Sequence, residues 1–323
     1  MSERIVIGVD IGGTKLIAGA IDERLRVRHR AQRLAPTEGP GAVLDALAET
    51  VSEVRAASPV PVAAVGFGIP SLIDQTRGIV VTSVNLPLLD VPFASLMAER
   101  IDVPIFVDND ANVALLAEHR SGAARGLRHA AMLTLGTGIG GGLLLDGRIY
   151  RGAVGAGAEL GHMVIEADGP PCQGNCPNHG CLEALASGTA LAREGLRVAQ
   201  GAPASGLGRA LAAGRAITGA LITELAHDGD PASRDVIALI GTRLGVGICN
   251  LVNIFNPEAV IIGGGVIAAG ELLLGPAREV VARRALAPSR DIARIVRARY
   301  GAEAGMLGAA ALAFDGIEGA VAA

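Results

Sequence analysis

The run Ile5-Val6-Ile7-Gly8-Val9-Asp10-Ile11-Gly12-Gly13-Thr14-Lys15, followed at once by Leu16-Ile17-Ala18-Gly19-Ala20-Ile21, decides the architecture of this chain. The apolar run Ile5–Val9 is the pattern of a buried strand. A second apolar run directly after the glycines, ending at Asp22-Glu23, makes a hairpin with a glycine-rich tip. Two glycines at that tip let a ligand approach the backbone, and successive N–H groups in a tight turn form a nest for an anion. Thr14 adds a hydroxyl donor. Lys15 adds a compact cation that can reach a phosphate, and it is the only lysine in the chain. Asp10, at the strand end, is suited to hold a magnesium ion through water, because magnesium keeps most of its hydration. The glycine spacing departs from both common nucleotide fingerprints, and a strand rather than a helix follows.

The pattern returns further along. Thr134 aligns with Asp10, Gly136 with Gly12 and Asp146 with Asp22, at a constant offset of 124 residues. Ala131–Leu135 predicts a strand, Gly136-Thr137-Gly138-Ile139-Gly140-Gly141-Gly142 a second glycine tip, and Leu143-Leu144-Leu145 the return strand. Such a repeat predicts two similar lobes. Two phosphate-grade loops facing each other across a cleft suit a triphosphate, which has oxygens enough for both. A third cluster, Gly263-Gly264-Gly265, ends the predicted strand Ala259–Ile262 and leaves room for a flat adenine or a ribose against the backbone.

Around these tips the apolar spacing of Leu44, Leu47, Val51 and Val54 predicts a helix over 41–57. Val62–Phe67 and Val103–Val107 read as strands, and a helix is expected from Asp108-Asn109-Asp110 to about His119. Asp230-Pro231 opens a helix running to about Asn253. A helix near 270–286, a strand near 293–299 and a helix near 303–314 complete the order. Strands alternating with helices predict an α/β fold. The Gly/Ala-rich stretch near 200–216 is expected to be a mobile connection.

Composition excludes several classes. With a net charge of −4, five Phe, two Tyr and no Trp, the chain lacks the basic face and stacking aromatics of a nucleic-acid binder. Half its residues are apolar, enough for a sizeable core. No signal-peptide pattern opens it and no uninterrupted apolar stretch of membrane-spanning length occurs, so a cytoplasmic protein without a membrane span is expected.

Two further groups of residues carry chemistry. Carboxylates at the C-terminal end of a strand, as in Asp108-Asn109-Asp110, face the crevice where α/β sheets bind ligands. One carboxylate beside a sugar hydroxyl serves as general base, and an asparagine can bond a second hydroxyl. The alternative is a plain helix cap. Cys172, Cys176 and Cys181 lie within ten residues, and with one histidine they match a closed tetrahedral zinc site of the structural kind. His162 is the expected fourth ligand and His179 its rival. Glu183, two residues after Cys181, would be held rigidly by such a knot. Cys249 reads as core.

The ordered set Asp10–Lys15, Asn109-Asp110-Ala111-Asn112, Leu135–Gly142, Glu159-Leu160-Gly161-His162, Gly180-Cys181-Leu182-Glu183 and Gly263–Gly265 resembles the ROK family of sugar kinases, within the actin/hexokinase-like superfamily. The resemblance covers the chain from about residue 5 to 314. It implies two ribonuclease-H-like lobes, an actin-like ATPase fold, with ATP and a sugar in the cleft. The lobes would be residues 1–120 joined by a C-terminal helix over 303–323, and residues 121–302 with a zinc-binding insertion at 159–183. Asp10, Gly12, Gly13, Thr14 and Lys15 would form the first phosphate motif. Gly136, Thr137 and Gly138 would belong to the second, and Gly263, Gly264 and Gly265 to the adenosine motif. Asp110 would be the catalytic base, with Asn109, Asp110, Glu159, His162 and Glu183 binding the sugar. His162, Cys172, Cys176 and Cys181 would hold zinc.

Two positions depart from the family pattern. Three residues, Gln173-Gly174-Asn175, separate the first two cysteines where one is usual, and Ser71 follows Gly66–Pro70 where glycine is usual, near the sugar. The resemblance implies phosphorylation of a hexose at its primary hydroxyl by magnesium-ATP. Glucose is the first choice; N-acetylmannosamine, N-acetylglucosamine and fructose are the alternatives, with polyphosphate as another donor. It also implies a homodimer, sometimes a tetramer. The same family includes sugar-sensing repressors, which carry a DNA-binding domain before the first phosphate motif. Here the first strand begins at Ile5, so that reading is not expected.

Overall fold

The computed structural model describes residues 4–83 and 86–321. The first apolar run forms β1 (Ile5–Ile11), and the hairpin partner β2 (Lys15–Asp22) leads into β3 (Val27–Leu34), α1 (Pro40–Ala56) and β4 (Val62–Ile69). Then come β5 (Ser71–Asp74), β6 (Ile79–Ser83), β7 (Leu89–Val91), α2 (Phe93–Ala98), β8 (Ile105–Asn109) and α3 (Asp110–Ser121). The five-stranded sheet has the order β3-β2-β1-β4-β8, antiparallel across β3, β2 and β1 and parallel from β1 through β4 to β8. A small sheet, β5-β6-β7, stands apart.

The second half repeats this plan. β9 (Ala130–Leu135), β10 (Ile139–Leu145) and β11 (Arg148–Ile149) precede α4 (Leu182–Ala186), α5 (Gly188–Gly201), α6 (Gly206–Ala212), α7 (Gly219–His227) and α8 (Pro231–Phe255). β12 (Ala259–Gly263), α9 (Glu271–Arg284), α10 (Ser289–Ile292), β13 (Arg294–Arg297) and α11 (Ala304–Val321) follow. The strand order β11-β10-β9-β12-β13 is the order of the first sheet. The duplication suggested by the two glycine tips is therefore present in the topology, as two mixed α/β sheets, each with helices.

The chain divides into two compact units. One holds the residues up to Gly126, Gly142–Ala158 and the residues from Arg299 on; the other holds Leu127–Gly141 and Glu159–Ala298. In the first unit β1 shows the two-residue period of a strand buried on both faces. Ile5, Ile7 and Val9 pack with Leu44, Leu47, Val51 and Val54 of α1, whereas Val6 packs with Met306, Leu307, Ala310 and Phe314 of α11. Two glycines make the second contact possible. A Cβ at Gly8 would stand 2.1 Å from Met306 O, and one at Gly66 only 1.9 Å from Ala309 O. The C-terminal helix thus lies directly on β1 and β4.

Several elements differ from the sequence reading. Residues 142–158, expected with the second lobe, cluster with the first unit. Gly142 lets the strand approach Ala111 O and Leu115 of α3, and Gln75 N–H donates to Val154 O at 2.8 Å. β3 gave no apolar alternation because it is a polar edge strand in which only Ala31 is buried. The stretch expected to be a mobile connection contains α6. Asp230 fastens it, accepting from Gly206 N at 2.8 Å while also capping α8 through Ser233 N. α8 is the one helix among the described residues long and apolar enough to cross a membrane. Its apolar residues are instead largely buried inside the second unit, where it packs on α4, α5, α7 and α9.

Candidate active site

Parallel register carries the first unit's polar residues to one end of the sheet. Asp10 pairs in row with Gly68, and Gly68 with Asp108, so the ends of β1, β4 and β8 stand side by side. Asp10 lies against the first turn of α11, where a Cβ at Gly305 would meet its carboxylate at 2.4 Å. Burial, and then the neighbouring charge of Asp110, push the Asp10 carboxyl up to about 7. At the tip, Gly12 N–H closes the turn on Lys15 O at 2.8 Å. Thr14 and Lys15 are exposed, and the Lys15 ammonium meets no partner among the described residues.

The tripeptide 108–110 splits into three roles. Asp108 is fully buried and accepts from Asn109 N, Asn112 Nδ2 and Gln75 Nε2 at 2.8, 3.0 and 3.3 Å, while Arg151 Nε reaches its other oxygen at 2.7 Å. Asn109 does cap α3, its Oδ1 accepting from Ala111 N at 2.8 Å and Asn112 N at 3.3 Å. Its Nδ2 donates to Ser71 O at 3.4 Å. Asp110 opens α3, and its Oδ1 takes Ala111 N at 2.9 Å. Burial raises the Asp110 carboxyl above its ordinary value despite that bond. Ser71 is buried, and its Oγ has no partner among the described residues. Asn112 Oδ1 is likewise unpartnered there. Arg151 and Gln75 carry no local motif. They are 43 and 33 residues from Asp108, and only the fold brings them in.

In the second unit the tip Gly136-Thr137-Gly138 is tied down on one side. Gly136 O accepts from Gly188 N at 2.8 Å, and Thr137 O accepts from Thr189 Oγ1 at 2.9 Å. Glu183 Oε2 accepts Ile139 N–H at 2.8 Å, an approach that only glycine at 138 permits, since a Cβ there would lie 2.2 Å from that oxygen. Gly264, at φ +83°, leans on Leu135 O, and a Cβ at Gly265 would meet open space.

His162, Cys172, Cys176 and Cys181 offer four ligand atoms all within 4.8 Å of one another. Cys172 Sγ is 3.5 Å from His162 Nδ1, and the Cys176 and Cys181 sulfurs are 3.9 Å apart. One nitrogen and three sulfurs at this spacing fit a tetrahedral zinc ion. Burial holds the Cys172 and Cys181 thiols above their ordinary value, a preference for the proton that a divalent cation would reverse. His179 is not part of the cluster; its Nδ1 faces Gly169 O at 3.3 Å. His162 keeps its other ring nitrogen outward, 3.9 Å from Glu159. Cys249 is buried in α8, as expected of core.

Residues 6–315 match the profile of the ROK family. The glucokinase of Thermotoga maritima is 39% identical over 317 residues, which are 97% of this chain and 98% of that protein. The crystal structure of a ROK family glucokinase from Streptomyces griseus in complex with glucose and AMPPNP superposes with a TM-score of 0.84 at 35% identity, covering 96% of this chain and 99% of that one. The xylose repressor of Bacillus spizizenii is 27% identical, and there the match covers 96% of this chain but 77% of the repressor. With a profile match over nearly its whole length and glucokinase relatives aligned end to end, the chain belongs to the ROK family, as a glucokinase-like sugar kinase of the actin/hexokinase superfamily.

Proposed function

We propose that this hexose kinase transfers the terminal phosphoryl group of ATP to the primary hydroxyl of glucose, with Asp110 as general base. The observation that carries the assignment of the base is the Asp110 carboxyl itself. It heads a helix at the end of a parallel strand, and burial raises it toward the range where a carboxylate accepts protons effectively. As the sugar oxygen attacks phosphorus, Asp110 takes the hydroxyl proton and the oxygen bridging to ADP leaves with its electron pair.

The sugar would be held by Asn109, Glu159, His162 and Glu183. Ser71 Oγ, buried and unpartnered, suits a further hydroxyl. The triphosphate would take the backbone N–H groups of Gly12, Gly13 and Thr14 with Lys15, and those of Gly136, Thr137 and Gly138. Gly263–Gly265 would accommodate adenosine. Asp10 would hold magnesium through water. The fit rests on the mutual repulsion of Asp10 and Asp110, which a divalent cation relieves. When bound, magnesium supplies charge neutralisation on the phosphates. Zinc at His162, Cys172, Cys176 and Cys181 would be structural, fixing the position of His162 Nε2 and of Glu183. The family resemblance further supports a homodimer, which light scattering of the purified protein would check.

ADP release with magnesium-ATP over a panel of glucose, N-acetylmannosamine, N-acetylglucosamine and fructose tests the reading, with Asp110→Asn beside it. Turnover is expected to be highest on glucose and about 10²–10⁴-fold lower in the variant. Preference for an N-acetylated sugar would overturn the substrate, and an active Asp110→Asn would overturn the base.

A further inference from the structure

A trans peptide carries its N–H on the side opposite its C=O. Whatever grips the carbonyls of the second glycine turn therefore aims the N–H groups on the other side. The Gly136 carbonyl belongs to the peptide of Thr137 N–H, and the Thr137 carbonyl to that of Gly138 N–H. The first is held by Gly188 N at 2.8 Å. The second is held by Thr189 Oγ1 at 2.9 Å and by Gln173 Nε2 at 3.4 Å. The same Gln173 nitrogen donates to Ser187 Oγ at 3.1 Å, the hydroxyl that caps α5 by accepting Ala190 N.

Gln173 follows Cys172 directly and lies in the lengthened spacer Gln173-Gly174-Asn175. Gly174, at φ +60°, turns the spacer back, and Cys176 N–H closes it on Gln173 O at 3.4 Å. A second tie runs parallel: Glu183 takes Ile139 N–H with one oxygen while its other lies 3.8 Å from Cys172 Sγ. Gln173 of the cysteine loop and Glu183 of α4 thus hold the glycine turn at two points.

We propose that Gln173 is a positioning residue for the nucleotide, coupling the cysteine loop to the phosphate turn by fixing the Thr137 carbonyl and so the direction of Gly138 N–H. The inference rests on the reading of Gly136–Gly142 as the nucleotide turn. It gives the extra spacer residues a task that the metal ligands alone do not require.

Gln173→Met keeps the side-chain length and removes the donor, and Gln173→Asn keeps the amide but falls short of Thr137 O. Calorimetry with a non-hydrolysable ATP analogue is expected to show a dissociation constant raised roughly two- to tenfold in both, the worth of one hydrogen bond. The ATP KM should follow, while glucose KM, zinc content and melting temperature stay at the parent values. Thr189→Val, which removes the other donor to the same carbonyl, should act in the same direction. Unchanged nucleotide affinity in Gln173→Met would overturn the proposal. So would an equal rise in glucose KM, or loss of zinc from both Gln173 variants, either of which would mark a merely structural residue. Parent protein that binds no nucleotide would sink the kinase reading itself, a result distinct from all of these.

Discussion

Arg151 and Asp108 form an ion pair in which Nε lies 2.7 Å from Oδ2, and only the arginine reaches solvent: the Asp108 side chain is 2% exposed and that of Arg151 34%. The aspartate carries the backbone of Asn109 and the amide of Asn112 on its other oxygen, so the pair braces the turn from which Asp110 projects. The pair is one of the ties that join residues 142–158 to the first unit.

Arg151→Met should leave that carboxylate buried without its cation. Breaking a fully buried pair costs about 3–5 kcal/mol; the partial exposure of Arg151 lowers the expected loss to about 2 kcal/mol. Denaturant unfolding would measure it. Adding Asp108→Asn to Arg151→Met should recover part of the loss. Equal stability of Arg151→Met and the parent would refute the bracing role.

The pH dependence follows from two raised carboxyls. Asp110 must be ionised to act as the proposed base, and burial raises its carboxyl, so kcat/KM should fall on the acid side with a midpoint shifted upward from that of an ordinary aspartate. An acid limb with its midpoint at or below the value of an ordinary aspartate would contradict this.

Asp10 gives the matching stability effect. Its folded pKa, about 7, lies above the 3.8 of an ordinary aspartate. Protonation therefore favours the folded state, and the contribution is full below the unfolded value and lost as pH rises through about 7. Asp10→Asn, melted without magnesium or nucleotide, should be more stable than the parent above that pH. The advantage should shrink toward acid while the variant stays catalytically impaired. A constant difference in melting temperature across the range would refute it.

Zinc content discriminates the ligand set. Cys172→Ser and Cys181→Ser should each lower bound zinc and melting temperature, because both sulfurs lie in the four-atom cluster. His179→Ala and Cys249→Ser should leave the metal in place. Elemental analysis after exposure to a mild chelator reads the result, and zinc retained by Cys172→Ser but lost by His179→Ala would reverse the assignment.

The glycine contacts beneath α11 predict a packing effect far from the polar residues. Gly66→Ala places a methyl 1.9 Å from Ala309 O, against backbone that cannot move aside without shifting the helix. Destabilisation of about 1–3 kcal/mol or more is expected in thermal or denaturant unfolding. A Gly41→Ala control meets open space on the exposed start of α1 and should be nearly neutral.

The repeated hairpin with its glycine tips, the α/β class, the helix stripes and the cysteine cluster were legible in the chain alone. Each is written in residues that are neighbours in the chain or at a strand or helix period, so local sterics and burial set them. The polar edge strand β3 carried no such signal. Folding in three dimensions was needed to show that Arg151 and Gln75 grip Asp108, that residues 142–158 return to the first unit, that His162 rather than His179 joins the three cysteines, and that Gln173 and Glu183 hold the second glycine turn. Those relationships join side chains far apart in sequence or on opposite sides of a turn. No periodicity records them, because they exist only once burial has brought the strand ends and loops together.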